Sequence, residues 1–387
     1  MTDHSAGHGS DSTSSPAAVS PFAARPGAVG DPPQHYGEPV AEQRALLAGR
    51  AVVDLGARGV VAVTGPDRLS WLDSLTSQSI AALEPGGSAE TLLLDPSGRI
   101  EHAIRVLDDG ATSWLLVDDR ARAAALTGFL DRMRFLLRVE VRDASEEFAT
   151  IGTLGDPPAA AAAPAGVPLV WRDPWRELAP GGWQYADAAE HPGPSWTWLE
   201  TLVERDRLAE LAETPAAGTL AFNALRIAAW RPSTAELDAT TLPHELDWLR
   251  SAVHLSKGCY RGQETVAKVH NLGHPPRRLA LLHLDGSPNV LPAPGDEVRL
   301  GGAGGEAATD GAAIGRITSA ARHHELGPIA LAVLKRGADP AATLVVAATD
   351  GEGGTVAVAA AQEVIVPPAA GAVAEVPRLP RLGAVRR

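Results

Sequence analysis

The chain contains a single cysteine, Cys259, among 387 residues. It can therefore form no internal disulfide, and one thiol by itself cannot build a zinc or iron–sulfur cage, because each needs several ligands. The fold must then be stabilised by the burial of apolar side chains. A chain of this length has enough of them for two or three domains.

The charge balance and the chain ends narrow the class of protein. The formal net charge of -13 argues against a general nucleic-acid binder, since phosphate binding depends on clustered Lys and Arg. We find no apolar run near the ~18–20 residues that a membrane span needs. The N-terminus also lacks the basic start and apolar stretch of a secretory signal. Together with the single thiol, these features predict a cytoplasmic protein with no direct nucleic-acid partner and no membrane partner.

The cysteine lies in a distinctive octapeptide. Its residues are Lys257, Gly258, Cys259, Tyr260, Arg261, Gly262, Gln263 and Glu264. The chain has only three lysines, and Lys257 is two residues from the thiol. Residues 263–269 predict a helix, with Gly273 as its C-cap. The backbone N–H groups at the start of this helix, with Lys257 and Arg261 nearby, predict a stabilised thiolate at Cys259.

Each feature of the octapeptide also has a purely structural interpretation. Free cysteine is among the most buried residue types, so the segment could be a tight turn around an inert Cys259. Tyr260 could stack on a flat ligand or simply pack in the core. Glu264 in the first helical turn suits the helix dipole, which gives it a role without chemistry. The flanking glycines, in contrast, favour the functional interpretation, because they let the backbone approach a ligand closely.

The remaining sequence alternates strands and helices before it becomes all-strand. Short strands are predicted at 52–55 and 60–63, and a helix follows residues 64–67. Residues 91–141 predict an α+β layer of strands and one helix. The apolar face of that helix is formed by Leu126, Phe129, Leu130, Met133 and Leu137.

Two further helices are predicted, one from Ser195 to about 212 and one over 219–230. From residue 278 onward, short strands predict a small sandwich or barrel, with the glycine-rich stretch 301–305 as a hairpin loop.

The octapeptide resembles the Lys-Gly-Cys-(Tyr/Phe)-x-Gly-Gln-Glu signature of the YgfZ family, folate-binding relatives of the glycine-cleavage T protein. Other stretches resemble family landmarks in the same order. They are residues 64–67, 94–100, 242–245, 314–316 and 329–332. The resemblance covers roughly residues 45–365 and leaves both tails outside.

The resemblance implies an α+β fold, a three-domain cloverleaf like the T protein with a C-terminal β-barrel. The domains expected from it are a disordered tail (1–40), a split central folate-binding domain (41–90 and 168–275), a ferredoxin-like α+β domain (91–155), the barrel (276–366) and a loose tail (367–387). A tetrahydrofolate is expected in a central hole, where the three domains meet.

The resemblance also implies a role in the assembly or repair of iron–sulfur clusters, felt through radical enzymes that modify tRNA. The partners expected from it are folate and iron–sulfur proteins or assembly factors. Cys259 and Lys257 are the expected catalytic residues, and the other six residues complete the motif. Lys257, Arg261 and Arg226 are expected to contact the folate. No metal site is predicted.

Two departures from the T protein bear on the chemistry. Residues 100–104 lack the catalytic aspartate of that enzyme and offer only Glu101. Ala228 stands where a second carboxylate would hold the pterin. Aminomethyl transfer is hard to explain without these groups. An aminomethyltransferase of glycine cleavage and a non-catalytic folate-binding module therefore stay as alternatives.

Overall fold

The structure is a computed structural model that describes residues 19–301, 312–349 and 353–374. Two five-stranded sheets and one closed six-stranded barrel organise these residues. The predicted α+β class is confirmed, as is the barrel at the C-terminal end.

The first sheet is antiparallel throughout. In spatial order its strands are β3 (Ser88–Leu94), β4 (Ile100–Asp108), β5 (Thr112–Val117), β2 (Gly59–Thr64) and β6 (Glu140–Asp143). The helices α2 (Arg68–Leu75) and α3 (Arg120–Met133) belong to this unit. Leu126 and Leu130 of α3 are buried in its core with strand residues such as Val61. The predicted helix therefore forms, but it ends at Met133 and does not reach Leu137.

The second sheet is built from segments that lie on both sides of the first sheet in the chain. In spatial order its strands are β10 (Ala216–Ala217), β1 (Val52–Asp54), β7 (Phe148–Leu154), β9 (Trp198–Glu204) and β8 (Val170–Arg172). Its helices are α1 (Pro39–Leu47), α4 (Leu208–Leu211) and α5 (Thr219–Ala228). The helix predicted over 219–230 is therefore confirmed.

The barrel closes through six antiparallel strands. In spatial order they are β11 (Arg277–Leu284), β14 (Gly327–Lys335), β13 (Gly315–His323), β12 (Glu297–Leu300), β15 (Leu344–Thr349) and β16 (Thr355–Val364). The sequence pattern missed β16, because this segment is rich in alanine, which strands disfavour. The predicted hairpin loop at 301–305 lies outside the described residues except for Gly301.

The connection from the second sheet to the barrel carries α6 (Leu249–Ala252) and α7 (Gln263–Leu272). One apolar core joins all three units. It contains Leu94 of the first sheet, Trp198 of the second, Leu331 of the barrel and Tyr260 of the octapeptide.

The helix predicted from Ser195 to about 212 is wrong over most of its length. Residues Trp198–Glu204 form β9, which pairs with β7 on one side and β8 on the other. Six of its seven residues are buried, among them Glu200 and Thr201, so polar and apolar residues do not alternate along it. Without that alternation, the sequence does not distinguish a strand from a helix by its period.

The expected domain boundaries differ from the sheets. Strand β2 pairs with β5 and β6, so the first sheet already begins at residue 59 rather than at 91. Strand β7 pairs with β1 and β9 and belongs to the second sheet. These pairings join residues that are far apart in the chain, and local periodicity carries no information about them.

Both expected tails are shorter than predicted. Residues 19–38 pack against the second sheet, where Phe22 is fully buried and the Ser20 hydroxyl donates to Asp54 at 2.5 Å. Residues 367–374 pack beside α7, where the Val373 N–H donates to the carbonyl of His270 at 3.0 Å. The rest of each tail lies outside the described residues.

Candidate functional site

The octapeptide leads directly into α7, as predicted. Tyr260 is buried in the common core, and this burial raises the pKa of its hydroxyl. Gly262 is the N-cap of α7 and has a φ of 83°. A Cβ there would lie 2.6 Å from the carbonyl oxygen of Asp95, so this position requires glycine for both its backbone conformation and its close contact. Tyr260 and Gly262 thus anchor the loop that carries the thiol.

Lys257 is bound by the segment that ends α2. Its ammonium donates to the carbonyl oxygens of Asp73, Thr76 and Gln78 at 2.6, 2.9 and 2.8 Å. The carboxylate of Asp73 lies 3.2 Å away, and the lysine side chain is only 3% exposed. Burial lowers the pKa of Lys257, and the neighbouring Asp73 opposes that effect.

These contacts correct the role expected of Lys257. An ammonium has three N–H donors, and here three carbonyl oxygens accept them. No donor is left for the sulfur of Cys259. Lys257 instead ties the octapeptide to the C-terminal end of α2, where helix carbonyls lack partners within the helix.

Cys259 stands on the outer side of this anchored loop. It is a free, exposed cysteine, and a Cβ built on the neighbouring Gly258 would meet nothing within 4 Å. The amide of Gln263 donates to the carbonyl of Lys257 at 3.3 Å and closes the loop beneath the thiol. Glu264 is exposed on the first turn of α7. The buried, inert cysteine of the structural interpretation is therefore not what the structure contains.

Arg261 points to the first sheet and pairs with Glu101. Its two terminal nitrogens donate to the two carboxylate oxygens at 2.7 and 3.3 Å. Its guanidinium also lies over the ring of Phe129 in α3, 5.7 Å from the centroid. Glu101, the one carboxylate that residues 100–104 offer, is thus paired with Arg261.

A cavity of about 230 Å³ lies between the second sheet and α5. One wall is aromatic. The rings of Trp196 and Trp198 stack with centroids 5.6 Å apart, and Phe222 lies 4.5 Å from Trp198. Asn223 and Arg226, from the same helix as Phe222, also line the cavity. Arg226 was expected at the folate site, and it is in this lining.

The charged side chains that line the cavity are paired, although Arg226 pairs at 3.0 Å with Glu236, which lies outside the lining. Its acidic members are Asp118, Asp173 and Glu200, and its basic members are Arg58, Arg105, Arg226 and Arg231. Arg105 contacts Asp118 at 2.8 Å and Glu200 at 3.2 Å, and Arg231 contacts Asp173 at 2.9 Å. Although burial opposes it, the arginines beside Asp118 hold the pKa of that carboxyl well below its usual range.

None of residues 257–264 lines this cavity, so of the three residues expected to contact folate only Arg226 lies in its lining, and Lys257 and Arg261 lie outside it. The sequence reasoning also missed the aromatic wall. Trp196 and Trp198 are two residues apart, the spacing that places side chains on one face of an extended chain. That spacing indicates a shared face for the two rings only in a strand, whereas the sequence predicts a helix from Ser195 to about 212.

Within residues 19–301, 312–349 and 353–374, no cluster of three or more His, Cys, Asp or Glu side chains is arranged to hold a metal ion. In the same residues, no helix has both the length and the apolar character to cross a membrane.

Comparison with known proteins finds one curated relative and a related fold. No protein-family model matches the chain. The chain is 26% identical over 250 residues to a protein of Mycosarcoma maydis, the "Iron-sulfur cluster assembly factor IBA57 homolog, mitochondrial". The match covers 60% of this chain and 57% of the relative, so it spans little more than half of that protein.

The fold is similar to the glycine cleavage system aminomethyltransferase T from Bartonella henselae. The TM-score is 0.60 at 17% identity, over 86% of this chain and 90% of the other. At this identity the likeness establishes the fold alone, the T-protein fold that the sequence predicted. The octapeptide and the assembly-factor relative agree with the resemblance of the chain to the YgfZ family.

Proposed function

We propose that the chain is a folate-dependent accessory protein for the assembly or repair of iron–sulfur clusters, with Cys259 as its working thiol. The observation that carries the proposal is an exposed cysteine on a loop that is anchored on both sides, by Lys257 and by Gly262. The Mycosarcoma maydis relative, which is named as an iron–sulfur cluster assembly factor, supports it.

The arrangement suits a thiol that acts on something outside the protein. A single thiol that binds a cluster iron releases its proton to solvent and supplies one thiolate ligand, so a partner must supply the other ligands. The anchored loop keeps the sulfur at the surface, where a partner reaches it. A reaction of the thiol with a one-carbon unit on folate, or with an oxidised cluster, is the other chemistry open to it.

The central cavity fits the flat ring of tetrahydrofolate in part. Stacking on Trp196, Trp198 or Phe222 requires only a planar ligand, and the amide of Asn223 has both a donor and an acceptor. The carboxylates of the lining are paired with arginines, so stacking rather than a free carboxylate would hold the ring. A volume of about 230 Å³ accepts a ring system and leaves the tail outside. When bound, tetrahydrofolate supplies a carrier for one-carbon units.

The role of the thiol is tested by Cys259→Ala in cells that depend on this chain. We expect a loss of activity in cluster-dependent enzymes, including radical enzymes that modify tRNA. Ser256→Ala is the matched control, since it changes an exposed side chain just outside the octapeptide and leaves the thiol in place. Equal activity of Cys259→Ala and wild type would falsify the proposal.

The cofactor is tested by calorimetry with tetrahydrofolate. Phe222→Ala should weaken binding about tenfold or more, because base-like rings gain ~1–3 kcal/mol from stacking on one aromatic side chain. Leu220→Ala, an exposed change on the same helix, should leave the affinity unchanged. No heat of binding with the wild-type protein would remove folate from the proposal and leave the thiol chemistry to be judged alone.

Partners and location belong to the same proposal. We expect iron–sulfur proteins or assembly factors as partners and a cytoplasmic location, whereas the name of the relative says mitochondrial. Fractionation of cells that express the tagged chain distinguishes the two.

The aminomethyltransferase alternative requires a free carboxylate at the folate, and Glu101 is bound by Arg261 instead.

A further inference from the structure

The end of α3 and the residues that follow it expose an unusual amount of apolar surface. Every residue from 131 to 138 is exposed. Four of them, here named the apolar tip, are large and apolar. They are Met133 (46% exposed), Phe135 (82%), Leu136 (88%) and Leu137 (37%). Single apolar side chains on a surface are ordinary, but a contiguous set marks an interaction site.

The backbone of the apolar tip is also unfavourable for its sequence. Leu136 has a φ of 60°, a left-handed backbone conformation that residues other than glycine rarely adopt. Its side chain is 88% exposed, so packing within the chain gives little compensation. Within the described residues, little packing offsets the strain at Leu136, as is expected where a surface contacts a partner.

The apolar tip is close to the candidate thiol. The ring of Phe129 lies under the guanidinium of Arg261, and Arg261 is two residues from Cys259. Met133 follows Phe129 by one helical turn, a rise of about 5.4 Å along α3. The thiol and the apolar tip are therefore close enough to fall within one interface of ordinary size, with ~20–30 residues a side.

We propose that the apolar tip is the docking surface for the protein that shares the chemistry of Cys259. This inference rests on the proposed function, in which a second protein supplies the remaining ligands. The partner is a client with cysteine thiolates of its own and an apolar groove rimmed by carboxylates. The carboxylate rim follows from the three arginines of the segment, Arg132, Arg134 and Arg138. Arg134 and Arg138 make ion pairs with Asp131 and Asp67 at the surface, which can open at little cost, and Arg134 also donates to the carbonyl of Val139 at 3.5 Å.

Size and charge favour a transient client over other occupants. The exposed parts of four side chains present a few hundred Å², less than the ~800 Å² per partner of a stable standard interface. A permanent dimer would need more. The net charge of -13 opposes approach to an anionic membrane, although arginines beside apolar side chains would suit one locally.

The experiment uses the full chain with Phe135→Ser and Leu136→Ser combined, at native expression in cells that lack the wild type. We expect at least a ~10-fold rise in the protein level needed for half-maximal activity of cluster-dependent enzymes, as for the loss of interface anchors. Overproduction should restore activity, because weakened docking is overcome by mass action. Cys259→Ala should not be restored in this way. Leu326→Ser, which changes a leucine that is 46% exposed between β13 and β14 of the barrel, is the control.

A second variant separates docking from folding. Leu136→Gly removes the apolar side chain and relieves the left-handed backbone, so its melting temperature should not fall below that of the wild type. Its activity at native expression should still fall, while its calorimetric affinity for tetrahydrofolate should not change.

Four results would overturn the docking proposal. The first is full activity of the combined variant at native expression. The proposed function is tested separately, by Cys259→Ala. The second is a loss that overproduction does not restore. The third is flotation of the wild type, but not of the variant, with vesicles of phosphatidylcholine and phosphatidylserine, which would assign the tip to a membrane. The fourth is a wild-type dimer in sedimentation that the variant dissociates, which would assign it to a second copy.

Discussion

At the scale of single residues, Lys257 shows how a motif residue can act through structure. The octapeptide suggested a cation beside a thiol. The structure instead places the ammonium among three backbone carbonyls, 2.6–2.9 Å from each oxygen. A side chain that is only 3% exposed and makes three charge-assisted hydrogen bonds fixes the path of the loop. The position of Cys259 follows from that path.

The first prediction concerns this ammonium. Lys257→Met should lower the free energy of unfolding by about 2–4 kcal/mol, because it leaves buried carbonyl oxygens without a donor. Urea denaturation measures the effect. Lys268→Met, an exposed change on α7, should alter stability little. Equal stability of the two variants would show that the carbonyls find other donors.

A second prediction concerns Asp247, which is fully buried and accepts from the backbone N–H of Tyr185 at 2.7 Å. Burial raises the pKa of this carboxyl to about 7. Since the folded pKa lies above the unfolded value, the stabilisation is complete below about pH 4 and is lost as pH rises to 7.

Asp247→Asn removes this titration. Between pH 5 and 7.5 the wild type should lose about 2 kcal/mol relative to the variant, measured by urea denaturation at both pH values. Comparing the two proteins cancels the contribution of groups that they share. Parallel pH profiles would mean that Asp247 does not titrate in this range.

At the scale of elements, local signals identified α7 and failed at β9. The glycine at the end of α7 and the periodicity within it are local properties of the chain, so the predicted helix is confirmed with its C-cap at Gly273. Strand β9 lies between two neighbours that come from distant parts of the sequence. Six of its seven residues are buried, Glu200 and Thr201 included, so its sequence lacks the alternation that is typical of a half-buried strand.

The N-terminal segment 19–38 supports α5 in a way that no local signal reveals. The carbonyls of Pro33 and Gln34 accept from the first N–H groups of α5, those of Thr219 and Leu220, both at 3.0 Å. The N-cap of α5 is a glycine, which has no side chain for this purpose. A distant segment thus caps the helix that carries Phe222 of the cavity wall.

The third prediction is that deletion of residues 1–37 lowers the free energy of unfolding by about 3 kcal/mol or more. The estimate combines the lost helix cap with the lost burial of Phe22. Calorimetry should also show weaker binding of tetrahydrofolate, since α5 loses its support. Deletion of residues 1–18 keeps all of these contacts and serves as the control. If the two deletions behave alike, the segment does not support the cavity.

At the scale of the whole molecule, Arg231 joins the two sheets beside the cavity. Its guanidinium contacts Glu90 of β3 at 2.6 Å and Asp173, which follows β8, at 2.9 Å. All three side chains are at most 4% exposed. Two carboxylates from different sheets therefore depend on one cation for their neutralisation.

The fourth prediction is that Arg231→Met lowers the free energy of unfolding by about 3–5 kcal/mol, because it leaves two buried carboxylates unpaired. Arg207→Met, which breaks an exposed pair with Glu210, should change stability little. Denaturation of both variants decides the matter. A mild effect of Arg231→Met would indicate that the carboxylates take up protons or water instead.

The sequence by itself determined the α+β class, the barrel and the helix that follows the thiol, and it indicated the family resemblance. These depend on a short contiguous motif, on local periodicity and on turn residues, all of which are properties of neighbouring positions. It also placed the single cysteine at the start of its helix, although not at the surface.

Only the tertiary structure decided which groups meet. It gave the Lys257 ammonium to the carbonyls after α2, separated the octapeptide from the lining of the aromatic cavity and left the apolar tip exposed beside the thiol. These outcomes depend on contacts between residues that are distant in the chain. Hydrogen bonding and burial at such contacts are properties of the packed molecule, and no window of the sequence contains them.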